Sequence, residues 1–356
     1  MLHSYPISLH IMGYAVAKPL YREHELAFRT QYAELKERTL GAGELLPGTP
    51  GSLALRAGSG RAYWYRVFYT LPRKVREELV CKEGNEKALN AMRERMAFAG
   101  WAAAQVTALR KLEFQVADKA TARVLVELHN RHAFEAGLVV VGTLAYMAWL
   151  NELGAIAVTA RTLDIDLARR QKLKLAAPLP FLNTMKDTGL PFVAVPGLPS
   201  TAPSTSIKLP GVEGLRVDVL APGKVLGSAI EVPELEWVAQ AIPYYDYLLA
   251  DAERGAILAG GHCIPVRLPQ AARFVWHKLY ASTQRQGSPE KAAKDQQQAL
   301  VLGAALAEND SDELKNAFEA APKPMLAHIK PLLNQLAGKA EAHPALVDML
   351  HQCLGD

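Results

Sequence analysis

The chain has 356 residues, enough for two or three domains and an ample core. Half of its residues are hydrophobic, 21% are charged and the formal net charge is +4, an ordinary globular balance that permits an anionic partner without demanding one. Its three cysteines, Cys81, Cys263 and Cys353, lie far apart and form no CxxC pair. That argues against a disulfide framework or a cysteine-rich zinc site and fits a reducing cytoplasm. No apolar run approaches the ~18 residues that cross a bilayer, so no membrane partner is expected. The apolar stretch PISLHIMGYAVAKPL is interrupted by His10, Gly13 and Lys18. It reads as ordered chain, or as an extension ahead of a start at Met12, rather than as a signal peptide.

In chain order, residues 21–40 have helical periodicity and end at the glycine-rich break GAGELLPGTPG. SLALRAGSGRAYWYRVFYT predicts a β-hairpin, two alternating runs around a Gly-Ser-Gly turn. Helices are expected over 85–115 and 118–136, then a strand in LVVVG, a helix over 143–153 and a strand over 155–167. The connection 175–203 is rich in Pro and Gly and has the character of an active-site margin or an insertion. Strands follow at 204–209, 215–220, 255–259 and 262–268, and 271–356 reads as helical. The pattern divides the chain into an N-terminal helical and hairpin region (1–117), a core (118–270) and a C-terminal helical region (271–356). No internal repeat or low-complexity tract interrupts it.

The chemistry concentrates in the core. In TLDIDLA, Leu163, Ile165 and Leu167 alternate with Asp164 and Asp166, so two carboxylates project from one face of a strand whose other face is apolar. Two close like charges repel and raise a pKa, so the pair calls for a cation or for arginines. Hard oxygen donors of this kind favour Mg²⁺ or Mn²⁺ beside phosphate groups. The alternative is an exposed edge strand with two incidental acids. In LRVDVL the same alternation sets Arg216 and Asp218 opposite Leu215, Val217 and Val219. Three acids on neighbouring strands can hold two ions that clamp a phosphoryl displacement. Gly142-Thr143 follows an apolar strand directly and opens a helix. Glycine lets the backbone approach a phosphate, while the helix start adds free N–H groups and a hydroxyl. An ordinary N-cap threonine is the alternative there.

The order strand, Gly-Thr, helix, DxD strand, D strand gives these parts a joint meaning. Filled here by Val141-Gly142-Thr143, Asp164-Ile165-Asp166 and Val217-Asp218-Val219, it resembles the hG[GS/T]…DxD…hDh pattern of the DNA polymerase β-type nucleotidyltransferase superfamily. Within that superfamily it is similar to a bacterial group of nucleotidyltransferase-like proteins of unknown substrate. The resemblance also takes in GSLALRAGSGRAYWYRVFY and RLPQAARFVWHKLYASTQR…KAAKDQQQA, and so covers most of the chain. Thr143 stands where serine is commoner, which keeps the hydroxyl. The resemblance implies an α+β fold: a mixed β-sheet core with helices on one side, an N-terminal hairpin and helix region, and a C-terminal helical subdomain. It implies Mg²⁺ or Mn²⁺ held by Asp164, Asp166 and Asp218, an NTP substrate, and attack of a hydroxyl on the α-phosphate with pyrophosphate leaving. Asp218 resembles the acid that contacts only the catalytic ion and would help to deprotonate the acceptor.

The supporting cations are read with two faces each. Arg161 lies three residues before Asp164, so it pairs with an acid elsewhere or reaches phosphate from the strand end. Lys278 sits in the segment that packs over the nucleotide in similar proteins, and contacts a phosphate or lines a solvated helix face. His277 reads as a packed or capping histidine, and Arg285, Lys294 and Asp295 as salt-bridge residues. Lys208 can face the acids. In the hairpin, Tyr63, Trp64, Tyr65, Phe68 and Tyr69 alternate with Arg56, Arg61 and Arg66. Either that surface stacks bases and holds phosphates, or one aromatic face packs on helix 85–115 while the arginines face out. The basic runs in 56–87 and 161–174 are solvated faces or a nucleic-acid patch.

The expected function is metal-dependent NMP transfer to an RNA end such as tRNA, or to a protein as an AMP- or UMP-transferring modifier, which in a toxin–antitoxin pair would act as the toxin. The alternative is a non-catalytic, antitoxin-like module that binds RNA or protein on the same fold. No GxGxxG follows a strand and no GxxxxGK[ST] occurs, which sets aside a Rossmann dehydrogenase and a P-loop kinase. Nothing in the sequence sets nucleotide preference or oligomeric state.

Overall fold

A computed structural model describes residues 18–58, 60–71, 74–158, 162–197 and 199–355. Most of the apolar stretch read as ordered chain or N-terminal extension lies outside the described residues, and so does Arg161. The N-terminal part comprises β1 (Arg22–Glu23), α1 (Leu26–Leu40), the antiparallel strands β2 (Ser52–Gly58), β3 (Arg61–Leu71) and β4 (Lys74–Lys82), and α2 (Glu86–Lys111). The expected hairpin is thus a three-stranded sheet. KVREELVCK carries charges at most positions because β4 is a largely exposed edge, which hides the apolar alternation that marks a strand.

The central part runs α3 (Lys119–Asn130), β5 (Leu138–Val141), α4 (Gly142–Leu153), β6 (Ala155–Ile156), β7 (Asp164–Arg169), α5 (Phe181–Asp187), β8 (Val193–Ala194), β9 (Ser206–Lys208), β10 (Arg216–Pro222), β11 (Ala229–Val232), β12 (Trp237–Ile242), α6 (Tyr245–Leu248), β13 (Glu253–Ala259) and β14 (His262–Leu268). The C-terminal part is helical: α7 (Ala271–Thr283), α8 (Pro289–Asn309), α9 (Ser311–Glu319), α10 (Lys323–Ile329), α11 (Leu333–Lys339) and α12 (Pro344–Gly355), with one-turn 3₁₀ segments at Pro233–Leu235 and Lys330–Leu332. The fold is α+β on a mixed sheet of order β11-β12-β10-β7-β5, with β9 pairing along the first half of β10 and β8 beyond it. Strands β7, β10 and β12 are mutually parallel, and β5 and β11 are antiparallel to their neighbours.

The strand expected over 155–167 is two strands. Ala155-Ile156 pairs with β1 at a separate edge, and the main sheet begins only at Asp164, where β10 and then β5 supply partners. The connection 175–203 contains α5 and β8, and β11 and β12 add two strands that periodicity alone did not mark.

Leu138 to Val141, Ile165, Leu167, Val217 and Val219 are buried and join α3, α4, α7 and α8 in one core. A second, smaller cluster packs α1 and α2 against the β13–β14 hairpin through Tyr32, Leu35, Val106, Leu109, Phe114, Leu258 and Cys263. Among the described residues no helix is long and apolar enough to cross a membrane. All three cysteines are buried.

One expectation about β3 is corrected. Arg66 does not face out with the other arginines; its exposure is 0%. It shares the inward face with Phe68 and stacks its guanidinium 4.0 Å from that ring centroid. Its donors reach the carbonyls of Pro47, Thr49 and Pro50 at 2.7, 2.7 and 2.9 Å and the Glu78 carboxylate at 2.9 Å. The 47–50 loop presents carbonyls that no strand satisfies, and an arginine fork is the side chain that can answer several at once.

Candidate active site

The cleft is built from the edges where β5, β7 and β10 meet. Strand β5 ends at Val141, and Gly142 turns the chain into α4 with φ +65°, a region that favours glycine. Val141 pairs with Asp166 on β7, so the turn lies against that side chain. A Cβ on Gly142 would stand 1.9 Å from Asp166 Oδ2. The glycine is therefore required twice, by its backbone angle and by the carboxylate that occupies its side-chain space. On the other side the parallel register sets Asp218 opposite Asp166 and Arg216 opposite Asp164. All three acids line one cleft.

Their surroundings are unequal. Asp164 opens β7 and is exposed, whereas Asp166 and Asp218 are largely covered. Burial pushes the Asp166 carboxyl up to about 6; Asp218 and Asp164 push the same way, while Lys278 and Arg285 pull back. Asp218 Oδ1 accepts from Arg216 Nε at 2.8 Å, and Arg216 Nη2 donates to Ser206 Oγ at 2.6 Å. Among the described residues, no group of three or more His, Cys, Asp or Glu side chains is arranged to hold a metal ion by itself. The donor chemistry nevertheless suits a hard divalent ion: Asp166 is a buried carboxylate held between like charges, and a cation would relieve it.

The facing wall comes from α7 and α8. Lys278 Nζ lies 2.6 Å from Asp295 Oδ1, and Arg285 Nε lies 2.5 Å from Asp295 Oδ2. Burial works against the Asp295 charge, yet the two cations hold it below the usual carboxylate range. Lys278 thus lines the cleft with its ammonium anchored. Lys294 Nζ donates to Thr143 Oγ1 at 3.3 Å, bridging α8 to the first turn of α4. Burial and Lys278 hold its ammonium below the usual lysine range, against the pull of Asp295 and Asp164. His277 is packed: it is buried, its Nε2 is 3.2 Å from the Pro243 carbonyl, and burial lowers its pKa to about 4. Lys208 lies across from Arg216 on β9, but its ammonium turns to the Val212 carbonyl at 2.9 Å.

The cleft measures about 660 Å³, with Asp164, Asp166 and Asp218 on the sheet side and Lys278, Arg285 and Lys294 on the helical side. The sequence reading took Arg285, Lys294 and Asp295 as salt-bridge residues, and Arg285 and Asp295 do form such a pair, but it did not place Arg285 and Lys294 on the cleft. The signal that finds them is tertiary: the packing of α8 on α4 brings Lys294 to Thr143, and Asp295 draws Arg285 and Lys278 into the cleft wall. An acidic floor opposite a cationic wall, beside a free helix start, is suited to a polyphosphate and its counter-ions.

No curated protein and no solved structure matches the chain. A family model described as Nucleotidyltransferase matches residues 119–322. The match runs from the start of α3 through α9, taking in all three acids, Gly142-Thr143 and the cationic wall, and leaves the N-terminal sheet outside. Because it spans more than half of the 356 residues, with the cleft inside it, the chain belongs to the nucleotidyltransferase family.

Proposed function

We propose that this nucleotidyltransferase uses divalent metal ions to move an NMP group from an NTP to a hydroxyl acceptor, an RNA end such as tRNA or a protein side chain. The observation that carries the reading is the Asp166–Asp218 register beside Gly142, which sets two carboxylates against the start of α4. Asp164 and Asp166 would hold Mg²⁺ or Mn²⁺, joined by Asp218 when it leaves Arg216. A bound ion at such a site neutralises phosphate charge and activates the attacking oxygen. Free N–H groups at the start of α4 and the Thr143 hydroxyl receive the triphosphate. Lys294, Lys278 and Arg285 face the charge that builds on the leaving pyrophosphate. Asp218 takes the proton of the acceptor hydroxyl as its oxygen bonds to the α-phosphorus and the α–β bridging bond breaks.

One observation favours a second reading. The Arg216–Asp218 pair already supplies a cation to one of the three acids, as suits a fold that binds RNA or protein without catalysis. Incubation with each α-labelled NTP and Mg²⁺, with and without total RNA, separates the two. Label on RNA or protein above that of an Asp164→Asn, Asp166→Asn double variant supports transfer, and its position identifies the acceptor class. Label no higher than the variant's would leave the binding module.

A further inference from the structure

A second cavity, of about 580 Å³, lies among the 48–50 loop, β3, α2, the first turns of α3 and the Gly260-Gly261 turn, and shares no lining residue with the acidic cleft. Its size falls within the range of small-molecule sites. Ala103, Val106, Ala122 and Val126 give it an apolar floor, while Arg110, Lys119 and Arg123 line it as cations. Asp118 is its one acidic lining residue, and that carboxylate is committed to the Thr121 N–H at 2.7 Å as the cap of α3. Three cations against one acid leave a charge suited to a dianion.

The decisive group is Arg123. It is 7% exposed; one end of its fork donates to the Thr188 carbonyl, and Nη1 has no partner. Burial and the neighbouring Arg76 both work against its charge, and Arg66 adds to them. Glu127, the acid that offsets this, is itself 2.9 Å from Arg131. Arg66 shows what a satisfied buried guanidinium looks like: every branch of its fork has an acceptor. A buried charge left without one is costly unless something outside the chain pairs with it.

We propose that this cavity binds a small organic phosphate of about mononucleotide size, its phosphate on Arg123 and Arg110 and its apolar body on the floor from α2 and α3. The planar arginine fork matches phosphate oxygens, and the apolar floor requires more than a bare ion. The site stands independently of the transfer reaction proposed for the acidic cleft.

The test is AMP binding to the full chain by calorimetry in EDTA, with adenosine and inorganic phosphate as partial probes. AMP is expected to bind more tightly than either fragment. Arg123→Met and Arg110→Ala should each weaken it roughly tenfold or more, the usual effect of losing a charge-assisted hydrogen bond. Thr107→Trp, at the exposed mouth, should exclude it by bulk. The Asp164→Asn, Asp166→Asn protein should bind AMP as the wild type does. If Arg123→Met fails to fold, Arg110→Ala and Thr107→Trp decide. No AMP binding, binding lost only in the double aspartate variant, or phosphate alone binding as tightly as AMP would each overturn the proposal.

Discussion

Arg66 and Asp166 are both charged side chains drawn out of water, one in the N-terminal sheet and one in the cleft, and their neighbours treat them in opposite ways. Arg66 meets three carbonyls, a carboxylate and an aromatic face. Burial, with Asp218 and Asp164, pushes the Asp166 carboxyl up to about 6, and Lys278 and Arg285 offset this only in part. A fully answered buried charge holds a fold together, and an unanswered one waits for a ligand. The same contrast separates Arg66 from Arg123 within one half of the molecule.

The comparison breaks most sharply by substitution at its two poles. Asp166→Asn should lower nucleotidyl transfer by roughly a thousandfold or more, since it removes a carboxylate from the proposed ion site, while the variant stays folded. Arg66→Met should do the reverse. It leaves buried carbonyls unpaired and should cost about 3–5 kcal/mol in urea unfolding, while the activity of the folded fraction stays at the wild-type level. Equal loss of activity in both variants would erase the distinction.

His277 offers a pH test of the wall behind the cleft. Its folded pKa is about 4 against an ordinary 6.5, so between those values the unfolded chain holds the extra proton. Stability is complete above pH 6.5 and is lost as pH falls toward 4, by about 3 kcal/mol over the window. His277→Gln should lose less over the same window in parallel unfolding curves; an identical pH slope would remove His277 as the cause. The smallest expected effect is at Lys294. Lys294→Met should raise the KM for NTP about tenfold with kcat changed less, as suits lost phosphate binding. A fall in kcat alone would place Lys294 elsewhere in the mechanism.

The sheet side of the cleft was legible because each acid sits in a strand whose alternate residues are Leu, Ile or Val, and because Gly142 follows four buried apolar residues. The helical side was legible only in part: the resemblance singled out Lys278, and the ion pairs of Asp295 with Lys278 and Arg285 fit the salt-bridge reading, but that these side chains and Lys294 face the acids emerges only when α7 and α8 pack on α4. The assumption that arginines face out erred at Arg66. Parity with Trp64 and Phe68 placed it on the inner face, but an arginine's charge outweighed that signal until the 47–50 carbonyls were in view. The break between Ile156 and Asp164 had the same origin: local β-propensity runs on, and the pairing partners change.

The central claim is that the Asp166 carboxylate is kept unsatisfied for a divalent ion and its nucleotide. Because its folded pKa stands above its unfolded value, Asp166 costs the ion-free protein stability as pH rises from 3.8 to about 6, and that cost is fully present at pH 7. Thermal unfolding at pH 7 of wild type and Asp166→Asn, in EDTA and then with Mn²⁺ and ATP, measures this directly. The variant should be the more stable in EDTA, and only the wild type should gain a large shift on adding Mn²⁺ and ATP. A variant that is less stable in EDTA and gains the same shift would contradict the account.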